Sequence, residues 1–347
     1  MIRRRVHSNQ SLRTLIAKGS LNDVAGFIGP EVFRTKEQLV RCCLEDIVMG
    51  KLHGLLIGLD VCSTLHMDVS LDELGWCIDQ IMAANPGYLM ALPTRIDPML
   101  GYLTTGYQDH VHIREAFGFK VNDRMWQFFQ ELGVIDATGK PTEHFGDPAW
   151  VYLQFWKELD GVFVSTVPNV IRLKTQSVDR EDYILHPVSG EHLSDDSRVL
   201  IQRLREQGEQ SDTQIVISEG LNTLAVRDGD QLISLVRQLR KELAGSGFRV
   251  APTNVVVDAG RVRAGYRIGE QLFEGRKGRF TILHVIGERP GSGHHTLSIY
   301  MAVADGDVWS EPDKVDHNIT KVVSGIAVTA LTPDLAAIEA AKILRRV

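Results

Sequence analysis

Between position 24 and about 150, short apolar runs alternate with longer stretches in which apolar residues recur every three or four positions. Val24-Ala25-Gly26-Phe27-Ile28 reads as a strand. From Thr35 to Gly50, Leu39, Cys43 and Ile47 keep helical spacing, and Thr35 with Gln38 fits a capping box. Leu55-Leu56-Ile57-Gly58-Leu59 reads as a buried strand closed by Asp60. Ser70 with Glu73 makes a second capping box, opening a helix through Ile78 and Ile81. Tyr88-Leu89-Met90-Ala91-Leu92 is a third strand, and Asp97 to Phe117 is expected to be helical. This βαβαβα order predicts parallel strands joined by crossover helices. Three such units are too few to close a barrel, which needs about eight strands.

The alternation lapses from 151 to about 195, where 164–169 and 186–190 resemble turns and loops, so a linker is expected over 156–180. A second α/β pattern follows. Strands are predicted at 214–218, 254–257, 281–286 and 297–302, an amphipathic helix at 228–243, and a closing helix at 333–346. The expected division is a segment 1–155, the linker, and a domain 181–347.

The chain has 347 residues, 44% hydrophobic and 24% charged, the composition of a globular protein of about two domains. The net charge of -6 disfavours a sequence-independent nucleic-acid binder, and no apolar run suits a membrane span. The basic start (Arg3, Arg4, Arg5) has no apolar segment behind it, unlike a secretory signal. The four cysteines, Cys42, Cys43, Cys62 and Cys77, lack CxxC spacing, so reduced, buried thiols in a cytoplasmic protein are expected.

Ligand-binding residues in parallel α/β folds gather at the carboxyl ends of strands. Asp60 stands at one such end, where a carboxylate can hold a cationic or hydroxylic substrate, cap a helix or enter a buried ion pair. Gly287-Glu288-Arg289-Pro290-Gly291-Ser292-Gly293 follows another strand; its small residues suit close approach to a ligand, although it fits neither GxGxxG nor the P-loop pattern. Ser218-Glu219-Gly220-Leu221-Asn222 ends a further strand and can line the same crevice. The histidine pairs His110/His112 and His294/His295 are poorly spaced for chelating a metal.

Taken together, these stretches resemble adenosylcobalamin-dependent ethanolamine ammonia-lyase, with both subunits in one chain. Residues from about 23 to 153 resemble the last part of the large, barrel subunit through Gly26-Phe27-Ile28-Gly29-Pro30-Glu31, the run 44–52, Asp60, Asp97-Pro98-Met99-Leu100 and Thr104-Thr105. Residues from about 178 to 347 resemble the small subunit through 217–221, Val250-Ala251-Pro252, Gly260-Arg261-Val262, Ile268-Gly269-Glu270 and 286–291. The resemblance implies an α/β chain: a partial (β/α) barrel segment followed by a Rossmann-like parallel-sheet domain. It also implies conversion of ethanolamine to acetaldehyde and ammonia, with adenosylcobalamin as cofactor, its cobalt carried by the cofactor and not ligated by the chain.

By the same resemblance, Asp60 holds the substrate ammonium, and Val24, Phe27 and Met90 line the substrate cavity. Met99, Val262 and Glu288 fall on cobalamin-contacting positions, as does Asn318, where the family has cysteine. Most of the family's barrel strands and several of its substrate ligands have no counterpart in the chain. The implied partners are therefore ethanolamine and a large subunit or a further copy of the chain, with no nucleic acid or membrane; the implied place is the cytoplasm or a bacterial microcompartment within it. The alternative is a non-catalytic cobalamin-binding or assembly subunit.

Overall fold

The computed structural model describes residues 20–25, 34–64, 67–97, 102–207, 210–287, 295–328 and 330–347. The chain divides into two compact units, 1–148 and 149–347.

In the first unit, β1 (Ser20–Ala25), β2 (Leu56–Ser63) and β3 (Tyr88–Leu89) lie side by side and parallel, in that order. Two helices connect them, α1 (Lys36–Leu52) and α2 (Leu71–Met82). Both open with the expected capping boxes, the Thr35 and Ser70 side chains accepting from the Gln38 and Glu73 amides. Leu39, Cys43 and Ile47 of α1 and Leu74, Cys77, Ile78 and Ile81 of α2 bury against Ile57, Leu59 and Val61 of β2. Each such side chain contributes about 1.5–3 kcal/mol by leaving water. All four cysteines are buried thiols outside any disulfide.

Two expectations fail in this unit. The β2 strand runs past Asp60 to Ser63, because Cys62 and Ser63 pair antiparallel with β4 (Leu103–Thr104). The helix expected from Asp97 begins only at Tyr107, as α3 (Tyr107–Phe117), since 103–104 are drawn into that strand pair and Gly106 is the N-cap. The unit continues to α4 (Asp123–Glu131). Among the described residues the sheet does not close.

In the second unit, a six-stranded sheet runs β10-β9-β8-β6-β7-β5. Its strands are β5 (Val170–Lys174), β6 (Thr213–Ser218), β7 (Asn254–Asp258), β8 (Arg279–Gly287), β9 (Leu297–Asp305) and β10 (Thr320–Ile326). The strands β5, β7, β6 and β8 are parallel, whereas β9 and β10 are antiparallel to their neighbours, so the sheet is mixed and not wholly parallel. The reason is local: β8 and β9 are consecutive and separated by only nine residues, 288–296, fewer than the dozen or so that a parallel crossover needs. The segment 156–180 contains α5 (Gly161–Thr166), capped by the Asp160 side chain on the Phe163 amide at 2.7 Å, and the edge strand β5. Its Val-Phe-Val-Ser-Thr run lacks helical periodicity, so the cap determines the helix.

After β5 come α6 (Arg180–Leu185) and α7 (Asp195–Gln207); after β6, α8 (Thr223–Arg227) and α9 (Gln231–Gly245); after β7, α10 (Val262–Phe273); and after β10, α11 (Pro333–Leu344). Helices α9 and α11 cover one face, their Leu235, Leu239, Ala337 and Ala340 packing with Ile215, Ile217, Leu283 and Val285. Helix α10 covers the other, over Ile282 and His284. Adjacent strands β6 and β7 thus send their crossovers to opposite faces, which opens a crevice at their carboxyl ends. No described helix is long and apolar enough to cross a membrane.

Candidate functional site

In the first unit the candidate centre is Asp60. With Ile57, Leu59 and Val61 packed into the helix-covered core, strand alternation points Gly58, Asp60 and Cys62 to the opposite face. Asp60 is 1% exposed, and its Oδ1 accepts the Thr104 hydroxyl at 2.8 Å. The antiparallel pairing of β2 with β4 supplies that hydroxyl.

Val24 stands opposite Asp60 in the β1–β2 register, and the Met90 amide donates to the Leu59 carbonyl at 2.8 Å. Asp60, Val24 and Met90 are therefore brought to one level of three adjacent chain segments. The Met90 carbonyl accepts the Thr105 hydroxyl and a ring nitrogen of His110. Burial holds the His110 imidazole below its ordinary pKa, and its buried Nε2 has no hydrogen-bond partner among the described residues. In the same unit Arg95 grips Asp109 through two bonds, at 3.1 and 2.5 Å, and Asp109 also accepts the Gly106 amide. Phe27 and Met99 lie outside the described residues. The sequence reading passed over Thr104 and His110 as site residues: the first owes its role to a strand pairing, the second to burial.

In the second unit Val262 opens α10 and is buried, and its carbonyl receives His284 Nδ1 at 3.2 Å. His284 Nε2 meets the Ser218 hydroxyl at 2.6 Å, and burial lowers its pKa to about 4. A neutral imidazole donating from Nδ1 and accepting at Nε2 satisfies both contacts. Asn318 is exposed, in the turn before β10. Arg263 of α10 reaches Asp316 of that segment at 3.4 Å, and Tyr266 meets Thr320 at 3.0 Å. The first turn of α10 and the Asn318 turn are thereby tied together. Glu288 lies outside the described residues.

The 218–222 loop does adjoin the end of β8. A Cβ on Gly287 would stand 2.2 Å from the Asn222 carbonyl oxygen and 2.5 Å from that of Glu219, while Gly220 has φ +59°. Glu219 is buried in this crevice; its Oε1 accepts the Ala259 amide at 2.7 Å. Burial pushes its carboxyl up to about 7, against the pull of Arg180 and of the Ala259 amide. Two buried arginines, Arg180 and Arg261, stand beside it over the Tyr183 ring. Among the described residues no cluster of three or more His, Cys, Asp and Glu could hold a metal ion.

Residues 7–144 match the ethanolamine ammonia lyase large subunit family (EutB), and residues 154–347 match the ethanolamine ammonia-lyase light chain family (EutC). The large subunit of Escherichia coli strain K12 is 33% identical over 129 residues, 37% of this chain and 28% of that protein. The small subunit of Pseudomonas fluorescens strain Pf0-1 is 34% identical over 133 residues, 37% of this chain and 44% of that protein. That of Clostridium acetobutylicum is 29% identical over 148 residues, 57% of that protein. The chain thus spans under a third of the large-subunit relative and about half of the small-subunit relatives. It belongs to the ethanolamine ammonia-lyase family, with a large-subunit-like segment and a small-subunit-like segment joined in one polypeptide.

Proposed function

We propose that this chain is a component of an adenosylcobalamin-dependent ethanolamine ammonia-lyase, converting ethanolamine to acetaldehyde and ammonia once a second polypeptide completes its barrel segment. The observation that carries the reading is Asp60: a buried carboxylate on the face of β2 away from the helices, steadied by Thr104, in a segment that matches the large subunit. An ammonium group suits such a carboxylate, because a hydrogen bond between charged partners is about twice as strong as a neutral one. In this role Asp60 binds and orients the substrate amine, and Thr104 fixes which oxygen it presents. By the family resemblance, Val24, Phe27 and Met90 would line the substrate cavity and keep water from the reacting carbon.

Adenosylcobalamin would supply the radical chemistry when bound, and the protein's part is to hold and shield it. The crevice of the second unit suits a polar ligand, since buried polar atoms of Arg180 and Glu219 make no well-formed hydrogen bond there among the described residues. In this unit Val262, Glu288 and Asn318 would contact it. The second unit has its own sheet and two helix layers, whereas in the first, among the described residues, four strands form a sheet whose outer strands β1 and β3 pair on one side only. Unpaired parallel edges seek partners, which favours a large subunit or a further copy of the chain as the completing element. The cytoplasm, or a microcompartment within it, is the setting this reading implies.

The test is ammonia release from ethanolamine by the purified chain with adenosylcobalamin, alone and with a full-length large subunit. Turnover only in the completed mixture, above that of the large subunit by itself, is expected. Cofactor binding without turnover in any mixture would replace this reading with that of a cobalamin-binding or assembly subunit.

A further inference from the structure

Four buried side chains meet at the carboxyl ends of β5, β6 and β7: Arg180 and Tyr183 from α6, Glu219 from the loop after β6, and Arg261 from the loop after β7. The guanidinium carbons of Arg180 and Arg261 stand 4.4 and 4.6 Å from the Tyr183 ring centre. The two arginines are used differently. Arg261 is committed to the fold, its Nη2 donating to the Tyr183 and Ile184 carbonyls at the end of α6. Arg180 is 8% exposed, and its Nε, Nη1 and Nη2 make no well-formed hydrogen bond among the described residues, although the Tyr183 side chain interacts with it. Glu219 offers it no ion pair; one carboxyl oxygen takes the Ala259 amide and the other, Oε2, has no partner.

A buried guanidinium without a well-formed hydrogen bond is among the costliest arrangements a fold can keep. Such a cost is tolerated where a ligand later pays it back. The place is the crevice between strands whose crossovers diverge, where open α/β sheets bind ligands. The local charge is positive, two guanidiniums against one carboxyl. A planar guanidinium matches a phosphate, which accepts two parallel hydrogen bonds.

We propose that Arg180 is the phosphate-binding residue of this crevice, taking the phosphodiester of the cobalamin nucleotide loop, with Glu219 Oε2 on a neighbouring hydroxyl. The assignment deepens the cobalamin reading above and rests on it for the ligand, but not for the phosphate chemistry.

The experiment titrates the full chain, wild type and Arg180→Gln, with cobalamin and with cobinamide, which lacks the phosphate and nucleotide. Arg180→Gln should bind cobalamin about tenfold or more weakly, the loss of a charge-assisted pair, and cobinamide as the wild type does. Inorganic phosphate should raise the wild-type Tm and leave that of Arg180→Gln unmoved. The ligand-free Arg180→Met chain at pH 6, where Glu219 carries its proton, should melt no lower than wild type. Equal weakening of both corrinoids, with a Tm fall in Arg180→Met, would make Arg180 a structural residue and overturn the proposal. If the wild type binds neither corrinoid, the cobalamin reading fails by itself. The phosphate arm then decides: a Tm rise lost in Arg180→Gln upholds the phosphate site, and no rise refutes it.

Discussion

Glu219→Gln should change the pH dependence of the second unit's stability in a calculable way. Burial lifts the Glu219 carboxyl from 4.5 to about 7 and lowers the His284 imidazole from 6.5 to about 4. A carboxyl whose pKa rises on folding binds its proton more tightly in the native state. Its contribution is therefore full below pH 4.5 and lost as pH climbs to about 7. An imidazole whose pKa falls does the reverse: its contribution is present above 6.5 and lost as pH drops towards 4. Each shift is worth roughly 3 kcal/mol at 1.36 kcal/mol per pKa unit. Between pH 4.5 and 6.5 the two slopes oppose each other, so these groups leave the wild type nearly level there. In Glu219→Gln only the His284 slope survives, and stability climbs by ~2–3 kcal/mol across that interval. Urea unfolding of both proteins from pH 4.5 to 7.5 reads the difference directly, since it removes every other titrating group. The gap should move by about 3 kcal/mol in favour of the variant as pH rises, or roughly 6–12 °C in Tm. Parallel curves would show that the Glu219 carboxyl is not held neutral by burial.

Thr104→Val keeps the shape but removes the hydroxyl on Asp60, and should cost the first unit about 1–3 kcal/mol in urea unfolding; no loss would show that Asp60 is held in place by other contacts. A fragment 149–347 should unfold cooperatively by circular dichroism. A fragment 190–347, stripped of β5 and Tyr183, should not; equal melting of the two would remove β5 from the sheet's stable part.

What the sequence revealed was local. The capping boxes at Thr35 and Ser70 lie within four residues and were readable, as were the long apolar strands 281–286 and 297–302. What it concealed depends on partners far along the chain. In the sequence Asp60 reads as a strand end, because the extension of β2 comes from pairing with residues 103–104. The parallel reading of the second sheet failed at β9 and β10 because apolar alternation does not encode pairing direction. Arg180, Glu219 and Arg261 are spread over 82 positions, and no spacing rule joins them; only the fold shows that one arginine is tied to backbone carbonyls and the other is not. Among the site residues, Asp60, Val24 and Met90 do come to one level, and Val262 is tied to the Asn318 segment.

The central claim is that Asp60 holds the substrate amine, and Asp60→Asn tests it most directly. Asparagine preserves the shape and can still accept from Thr104, but it removes the charge. Ammonia release should be compared between wild type and variant in the completed enzyme with adenosylcobalamin, over ethanolamine concentrations from well below to well above KM. The account predicts a fall in kcat/KM of about 10- to 100-fold, from a lost charge-assisted bond of ~1.5–3 kcal/mol, with an unchanged cobalamin titration. Wild-type kcat/KM in Asp60→Asn would contradict it, leaving Asp60 a buried structural carboxylate.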